Sequence, residues 1–493
     1  MPISSAILAI DQGSSGTRAH LYSTEENRVG EILFSSAIPI NVHSPQKDWI
    51  EYKGDELLDS VKSVISQTQT WAKDHNANIS NIALSCQRST CAAWDKNTGK
   101  LLAPIISWQD RRANSWLTQQ GFDAKTIQDI SGLPLSPHYG VAKLRWLRDN
   151  TETVKTALQN QSLQWGPLSA YLLFSLCDNS PYVVDANIAS RTQLWDNHEQ
   201  YWSQFLCNTF EIDIGSLPQA TPSLSHFGNH QGIPISLVIG DKQAELAALG
   251  SPSSDRVVIT LGTCSSLFFS LPQDICLQQS YWLKTRMNCR FNENDWFAEA
   301  LINGSGAAIQ WFATHHQQPE NYQQMNQWIE SLNHAEKKQS PLFLNSVSGI
   351  ASPFWKPDVT PRYEGDNANT TTEQYFYSLI ESIAFWITWN IDLYHELADK
   401  KLSEIILAGS LGQCHTIGQI SANLLQTPIE LASNRHYSVE GAARMIYESQ
   451  AHALLHQNEK WPDVAPDKTY TPEKCDYLKN RYEHWKQLIE SSL

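Results

Sequence analysis

The stretch that most constrains this chain is AILAIDQGSSGTRAHLYS, residues 6–23. Four apolar residues, Ile7, Leu8, Ala9 and Ile10, run straight into Asp11, Gln12, Gly13, Ser14, Ser15, Gly16, Thr17 and Arg18, and a second apolar run resumes at Ala19. The pattern predicts a β-hairpin whose turn is built from small residues. Glycines and short hydroxyl residues let backbone N–H groups converge on an anion, since no bulky side chain blocks the approach. Ser14, Ser15 and Thr17 add hydroxyl donors, and Arg18 adds a cation matched to phosphate oxygens. Asp11, at the strand end, is placed to hold Mg2+ through water. Alone, the same residues also suit an ordinary hairpin with a polar turn.

At 493 residues the chain exceeds what one hydrophobic core supports, so two domains are expected. A formal charge of −15 argues against nucleic acid or an anionic membrane as partner, but not against a nucleotide held by local donors. Nine cysteines without a C-x-x-C pair suggest free thiols in a reducing cytoplasm. No signal-peptide pattern opens the chain, and the most apolar helical stretch, 375–397, is broken by Glu381, Asn390 and Asp392. It is expected to be a core helix and not a membrane span.

Further along, NIALSCQRSTCAAWD reads as strand, polar turn and strand, with Arg88 and Ser89 where the first strand ends. Ligands collect at such carboxyl ends in open α/β sheets. In PIISWQDRRA, Trp108 offers a face for the C–H side of a polyol, while Arg111 and Arg112 either hydrogen-bond its hydroxyls or form ion pairs. Residues 187–196 read as a polar turn leading into a strand. IPISLVIGDKQAELAALG gives a strand, Gly240, and Asp241 heading a helix, where an aspartate is either a cap or a general base. RVVITLGTCSSLFFS then repeats the opening outline, strand, small turn, strand, which suggests duplicated domains. NGSGAAIQW and EIILAGSLGQCHTIGQISANLL are glycine-rich entries to helices that suit a phosphate or nucleotide.

Taken in order, these motifs resemble the FGGY carbohydrate kinases, and within that family the glycerol kinases. The family's Asp-Gln-Gly-Thr-Thr-Ser-Ser-Arg is similar to 11–18 here, its Trp-Gln-x-Arg-Arg to 108–112, its Ala-Ser-Arg-Thr to 189–192, its Gly-Asp-Gln-Gln-Ala to 240–244 and its Gly-Ala-Ser-Ile-Gln-Trp to 306–311. The resemblance implies an α/β fold of two actin/hexokinase-like (ribonuclease H-like) domains facing an interdomain cleft, 1–245 for acceptor and catalytic base, 246–493 for nucleotide. It implies transfer of the γ-phosphate of Mg-ATP to a hydroxyl of a small polyol or ketose. Asp241 would be the base, Asp11 and Asp241 would hold Mg2+, and Arg88, Ser89, Trp108, His138, Asp241, Lys242 and Ser266 would contact the acceptor. Nucleotide contacts would come from Ser14, Ser15, Gly16, Thr17, Arg18, Gly262, Thr263, Gly306, Gln310, Gly409, Ser410, Gln413 and Cys414. It also implies a cytoplasmic homodimer or homotetramer.

Departures from the pattern concern both ligands. Ser89 stands where the family has an acceptor-binding glutamate, His138 where it has tyrosine, Ser266 where it has phenylalanine, and Lys242 where it has glutamine. Losing a carboxylate that binds hydroxyls weakens recognition of glycerol in particular, so a wider pocket for a longer polyol or ketose is expected. Cys414 stands at the place of an asparagine near the adenine. Two other readings are a true glycerol kinase and a catalytically silent sugar-binding relative; retention of Asp11 and Asp241 argues against the silent one. A metal-dependent hydrolase finds no paired ligand spacing around His315 and His316.

Overall fold

The computed structural model describes residues 5–287, 296–318, 322–433, 436–454 and 460–493. The chain divides into two compact units: 1–248 with 285–295 and 436–463, and 249–284 with 296–435 and 464–493. The sequence expectation drew a single boundary after 245; the first unit instead ends three residues later and takes in two segments from the second half of the chain.

In the first unit the opening hairpin forms as β1 (Ala6–Gln12) and β2 (Gly16–Ser23), followed by β3 (Ile32–Pro39). A helix, α1 (Glu56–Asp74), leads to β4 (Ile79–Cys86); β5 (Leu224–His230), β6 (Ile233–Gly240) and α2 (Asp241–Leu249) come later. The sheet order is β5-β6-β4-β1-β2-β3, with β1, β4 and β6 mutually parallel and the rest antiparallel to their neighbours. Both faces of this sheet are covered, which is why its parallel strands read as unbroken apolar runs. Ala6, Leu8 and Ile10 pack on one side with Leu57, Val61 and Val64 of α1, while Ile7 and Ala9 point to the other.

The second unit repeats the plan. β7 (Arg256–Thr260), β8 (Ser265–Phe269) and β9 (Trp296–Ile302) form the antiparallel ribbon. The helices α3 (Gly306–His315) and α4 (Thr372–Ala398) follow, then β10 (Glu404–Ala408), α5 (His415–Leu425), β11 (Ile429–Ala432) and, late in the chain, β12 (Pro466–Tyr470). These six strands lie in the order β9-β8-β7-β10-β11-β12, with β7, β10 and β11 parallel, so each of the six has its counterpart in the first sheet; a seventh strand, Leu283–Arg286, extends the sheet beyond β9 and has none. The apolar stretch 375–397 lies inside α4, most of it buried, and no described helix is long and apolar enough to cross a membrane.

One helix, α6 (Tyr437–Leu454), belongs to the first unit and closes the face of Ile7 and Ala9 with Val439, Ala442, Ala443 and Ile446. Gly441 lets it come close to α2: a Cβ there would stand 1.8 Å from the carbonyl oxygen of Ala244. Glycine inside a helix is ordinarily worse than alanine by about 1 kcal/mol, so this one is explained by the contact. Gly441→Ala is therefore expected to destabilise the protein by about 1–3 kcal/mol instead of stabilising it, read as a lower thermal melting temperature.

Candidate active site

The first unit gathers its polar groups at the carboxyl ends of β1, β4 and β6. Pairing of these parallel strands sets Asp11 beside Ser85, and Ile239 beside Ser85 on the other side. Asp11 therefore lies on the face covered by α6, and Asp241 follows directly as the first residue of α2. The Ser85 hydroxyl donates to Asp11 Oδ1 at 3.0 Å, and Ser438, at the start of α6, also bonds this carboxyl. Burial, and then the charge of Asp241, push Asp11 up to about 6, against the two hydroxyls that favour the carboxylate.

Asp241 accepts from the backbone N–H of Lys242 at 2.8 Å, and its Oδ1 lies 3.5 Å from Arg88 Nε. Arg88 reaches it because Gly240 has no side chain: a Cβ would meet Asn187 Oδ1 at 2.6 Å and Arg88 Cδ at 2.9 Å. Asn187 completes the corner by accepting from Gly240 N at 3.1 Å. Lys242 pairs with Glu245 at 2.9 Å, and the nearby Glu245 and Asp241 charges outweigh burial to raise the lysine above its ordinary value. Three acids, Asp11, Asp241 and Glu245, and two cations, Arg88 and Lys242, thus gather at these strand ends.

The small-residue turn sits next to this cluster in the chain. Gly13 N donates to Gly16 O at 3.0 Å, closing the turn, and Ser15 is at its exposed tip. Trp108 Nε1 donates to Ser14 Oγ at 2.9 Å, and Tyr52 hydroxyl donates to Ser14 O at 3.0 Å. Trp108 is also held by its backbone N–H on Thr90 Oγ1, and its carbonyl meets His138 Nδ1 at 3.2 Å. The strand-end turn places Ser89 in the left-handed region, φ 64°, with its hydroxyl donating to Arg191 O.

Some expectations are corrected. The Thr17 hydroxyl faces the interior and bonds Ser60 at 2.6 Å, because alternation along β2 turns it toward α1 and away from the turn's mouth. Of the two readings open for Arg112, ion pairing is the one seen: it bonds Asp110 and Glu51, and its guanidinium packs over Trp49 and Trp146, whose rings meet edge-on, so it is a buried structural cation. Residues 187–196 are not a polar turn but a buried short helix, Ala186–Ala189, capped by Asp185 and running into a tight turn before a short strand.

In the second unit three small-residue segments meet at the carboxyl ends of β7 and β10. Gly306 N donates to Gly262 O, and Ala307 N to Thr263 O, both at 2.9 Å, so α3 begins on the turn after β7. Gly409 has φ 98° and lies so close to Leu261 that a Cβ would stand 2.2 Å from the Leu261 oxygen. Ser410 and Gln413 follow at the surface, and Gln413 O accepts from Asn326 Nδ2 at 3.2 Å. Gln310 is exposed on α3. Two expected side chains are turned inward: Cys414 packs into the unit's core, where burial pushes its thiol up to about 12, and the Ser266 hydroxyl bonds buried Glu299 at 3.2 Å.

Sequence spacing did not reveal Ser85, Tyr52, Asn187 or Ser438, which act across strands or from distant segments, nor Glu245, one turn along α2 from Lys242. Among the described residues no three His, Cys, Asp or Glu side chains form a metal cage. Two adjacent carboxylates beside the small-residue turn at Gly13–Gly16 nonetheless suit Mg2+, which takes one or two protein carboxylates and completes its shell with water and phosphate.

Residues 6–247 match the N-terminal domain, and 257–446 the C-terminal domain, of the FGGY family of carbohydrate kinases. The chain belongs to that family and is a phosphotransferase acting on an alcohol group. It is 28% identical to a glycerol kinase from Trichodesmium erythraeum over 89% of this chain and 88% of the relative. Among solved structures, glycerol kinase from Plasmodium falciparum with ADP superposes with a TM-score of 0.85 at 22% identity, covering 100% of this chain and 99% of that one. Xylulose kinase from Rhodospirillum rubrum gives 0.82 at 17%, covering 99% and 98%.

Asp11 supplies a test independent of turnover. In the folded chain without metal it keeps its proton to about pH 6, whereas an unfolded aspartate releases it near 3.8. The folded state binds the extra proton between these values, so stability falls as pH rises from about 4 to 6. Asp11→Asn is expected to melt higher than the parent at pH 7, by up to about 2 kcal/mol, and to match it at pH 4. Thermal melts in chelator at the two pH values check this.

Proposed function

We propose that the protein transfers the γ-phosphate of ATP to a hydroxyl of a polyol or ketose longer than glycerol. The observation that carries this is the position of Asp241, at the end of β6 and the start of α2, between Arg88 and the Asp11 strand end. Asp241 accepts the proton of the attacking hydroxyl while Arg88, 3.5 Å away, aims its carboxylate. Asp11 and Asp241 would hold Mg2+, which would supply neutralisation of the phosphate charge. The turn at Ser14, Ser15, Gly16 and Arg18, and the backbone turns at Gly262, Thr263, Gly306 and Gly409, steady the phosphates through N–H donors. Positioning and charge neutralisation supply most of the rate in such transfers.

The acceptor lies against Arg88, Ser89, Trp108, His138 and Lys242 in this reading. Ser89 replaces a longer acid and has its hydroxyl committed to Arg191 O, so the pocket has lost both reach and charge on that side. Since Cys414 is in the core, base recognition falls to the surface groups of Ser410, Gln413 and Gln310. Homo-oligomerisation and a cytoplasmic setting fit the family but are carried by the resemblance alone.

Asp241→Asn is expected to lower turnover by about 100- to 10,000-fold while leaving nucleotide affinity within a few-fold, measured by coupled ADP release and calorimetry. In an acceptor screen, a pentitol, pentulose or hexulose should exceed glycerol in kcat/KM. Glycerol as the best acceptor would sink the wider-pocket reading and leave the kinase assignment standing.

A further inference from the structure

The Asn187 side chain is fully enclosed, at 0% exposure, and both ends of its amide meet main chain. Its Oδ1 accepts from the Gly240 N–H at 3.1 Å, and its Nδ2 donates to the Arg286 carbonyl at 3.0 Å. An N–H can only donate and a carbonyl can only accept, so these two partners fix which way the amide points. A carboxylate there would set an oxygen against the Arg286 carbonyl, and an alkyl side chain would offer neither bond. The side chain also stands on a rigid mount. Asp185 caps the short helix Ala186–Ala189 by accepting from Ile188 N at 2.9 Å, and the Ser190 hydroxyl donates to the Asn187 carbonyl at 2.6 Å.

The carbonyl on which Asn187 leans is anchored in turn. Thr285 Oγ1 accepts from Gln243 Nε2 at 3.3 Å, and Arg286 Nη1 donates to the Asn197 carbonyl at 3.3 Å. Gln243 lies in the first turn of α2, two residues after Asp241. Residues 187, 240, 243, 285 and 286 all belong to the first unit. The bonds therefore close a circuit: Gly240 to Asn187, Asn187 to Arg286, Thr285 to Gln243, and back along α2 to Gly240. Asp241 is on that last arc.

We infer that Asn187 is a positioning residue for the proton transfer: by holding the Gly240 peptide it fixes the direction in which the Asp241 carboxylate leaves the chain. This rests on Asp241 being the base and deepens that reading. Arg88 acts at the same corner. Its Cγ and Cδ press on Gly240, each 2.9 Å from where a Cβ would stand, and its Nε is 3.5 Å from Asp241 Oδ1. Asn187 thus sets the main chain, and Arg88 the carboxylate. A reacting group misplaced by about 1 Å loses roughly 100-fold in rate. Having no exposed surface, Asn187 touches no substrate, and its effect passes through Asp241.

The experiment uses the full-length protein with ATP and, as acceptor, whichever of glycerol, xylitol, D-xylulose and D-fructose is turned over fastest. Asn187→Ala and Asn187→Ser are each made in the parent and in Asp241→Asn. In the parent, Asn187→Ala should lower kcat about 10- to 100-fold, while KM for both substrates and ADP affinity by calorimetry stay within about twofold. In Asp241→Asn the same change should alter the residual kcat by less than about twofold, because groups that act through one another are not additive. Assays run well below each variant's melting temperature, so a loss of stability alone does not register. Asn187→Ser, which keeps a small polar side chain, carries the same test where Ala does not fold.

Normal kcat in both Asn187 variants, or an equal loss in the parent and in Asp241→Asn, would overturn this inference and leave the kinase reading standing. A raised KM with kcat kept would do the same, since it marks a binding role. Near-normal turnover in Asp241→Asn would remove the base, and this inference with it. Absence of turnover with every acceptor would overturn the kinase reading and the inference together.

Discussion

Everything in the first unit depends on keeping two carboxylates close without letting their repulsion pull the strand ends apart. Asp11 and Asp241 are neighbours because β1, β4 and β6 are parallel and in register, so their carboxyl ends coincide. Like charges in partly buried positions are costly, and the fold answers in three ways. Arg88 stands against Asp241, Ser85 and Ser438 donate to Asp11, and Asp11 holds a proton more tightly than an exposed acid would.

The second unit uses the same strand plan for the opposite purpose. Its strand ends carry glycines and backbone donors in place of acids, and at Gly306 and Gly409 backbone segments approach one another closely. Backbone N–H groups are fixed by the fold and bear only partial charge, so they can surround a polyphosphate without competing for protons. One topology, used twice, thus yields one site rich in titratable groups and another nearly free of them.

The strands, the hairpin and the long core helix were legible from the sequence because their signals are local: apolar runs, small turns and helical spacing. Asp11 and Asp241 were legible because each lies where a strand ends. What escaped was set by alternation and by distant partners. Thr17 sits in a phosphate-like motif, but its parity on β2 turns it inward, and one residue of register decides that. The sequence left Arg112 open between binding hydroxyls and pairing with acids; Trp49 and Trp146, far apart in the chain, pack against it and fix the second. Cys414 lies within a loop pattern yet packs in the core. Residues 187–196 were misread because polar composition suggested exposure, whereas Asn187 bonds internally to Gly240.

Gly441 has a consequence for how such an enzyme can change. With α6 pressed against the backbone of α2, the helix that begins with Asp241 is clamped to the sheet and cannot shift independently of it. Ser89 and His138, by contrast, lie on connections outside that clamp. Lineages can therefore alter these connections while the strand end that carries Asp241 keeps its place.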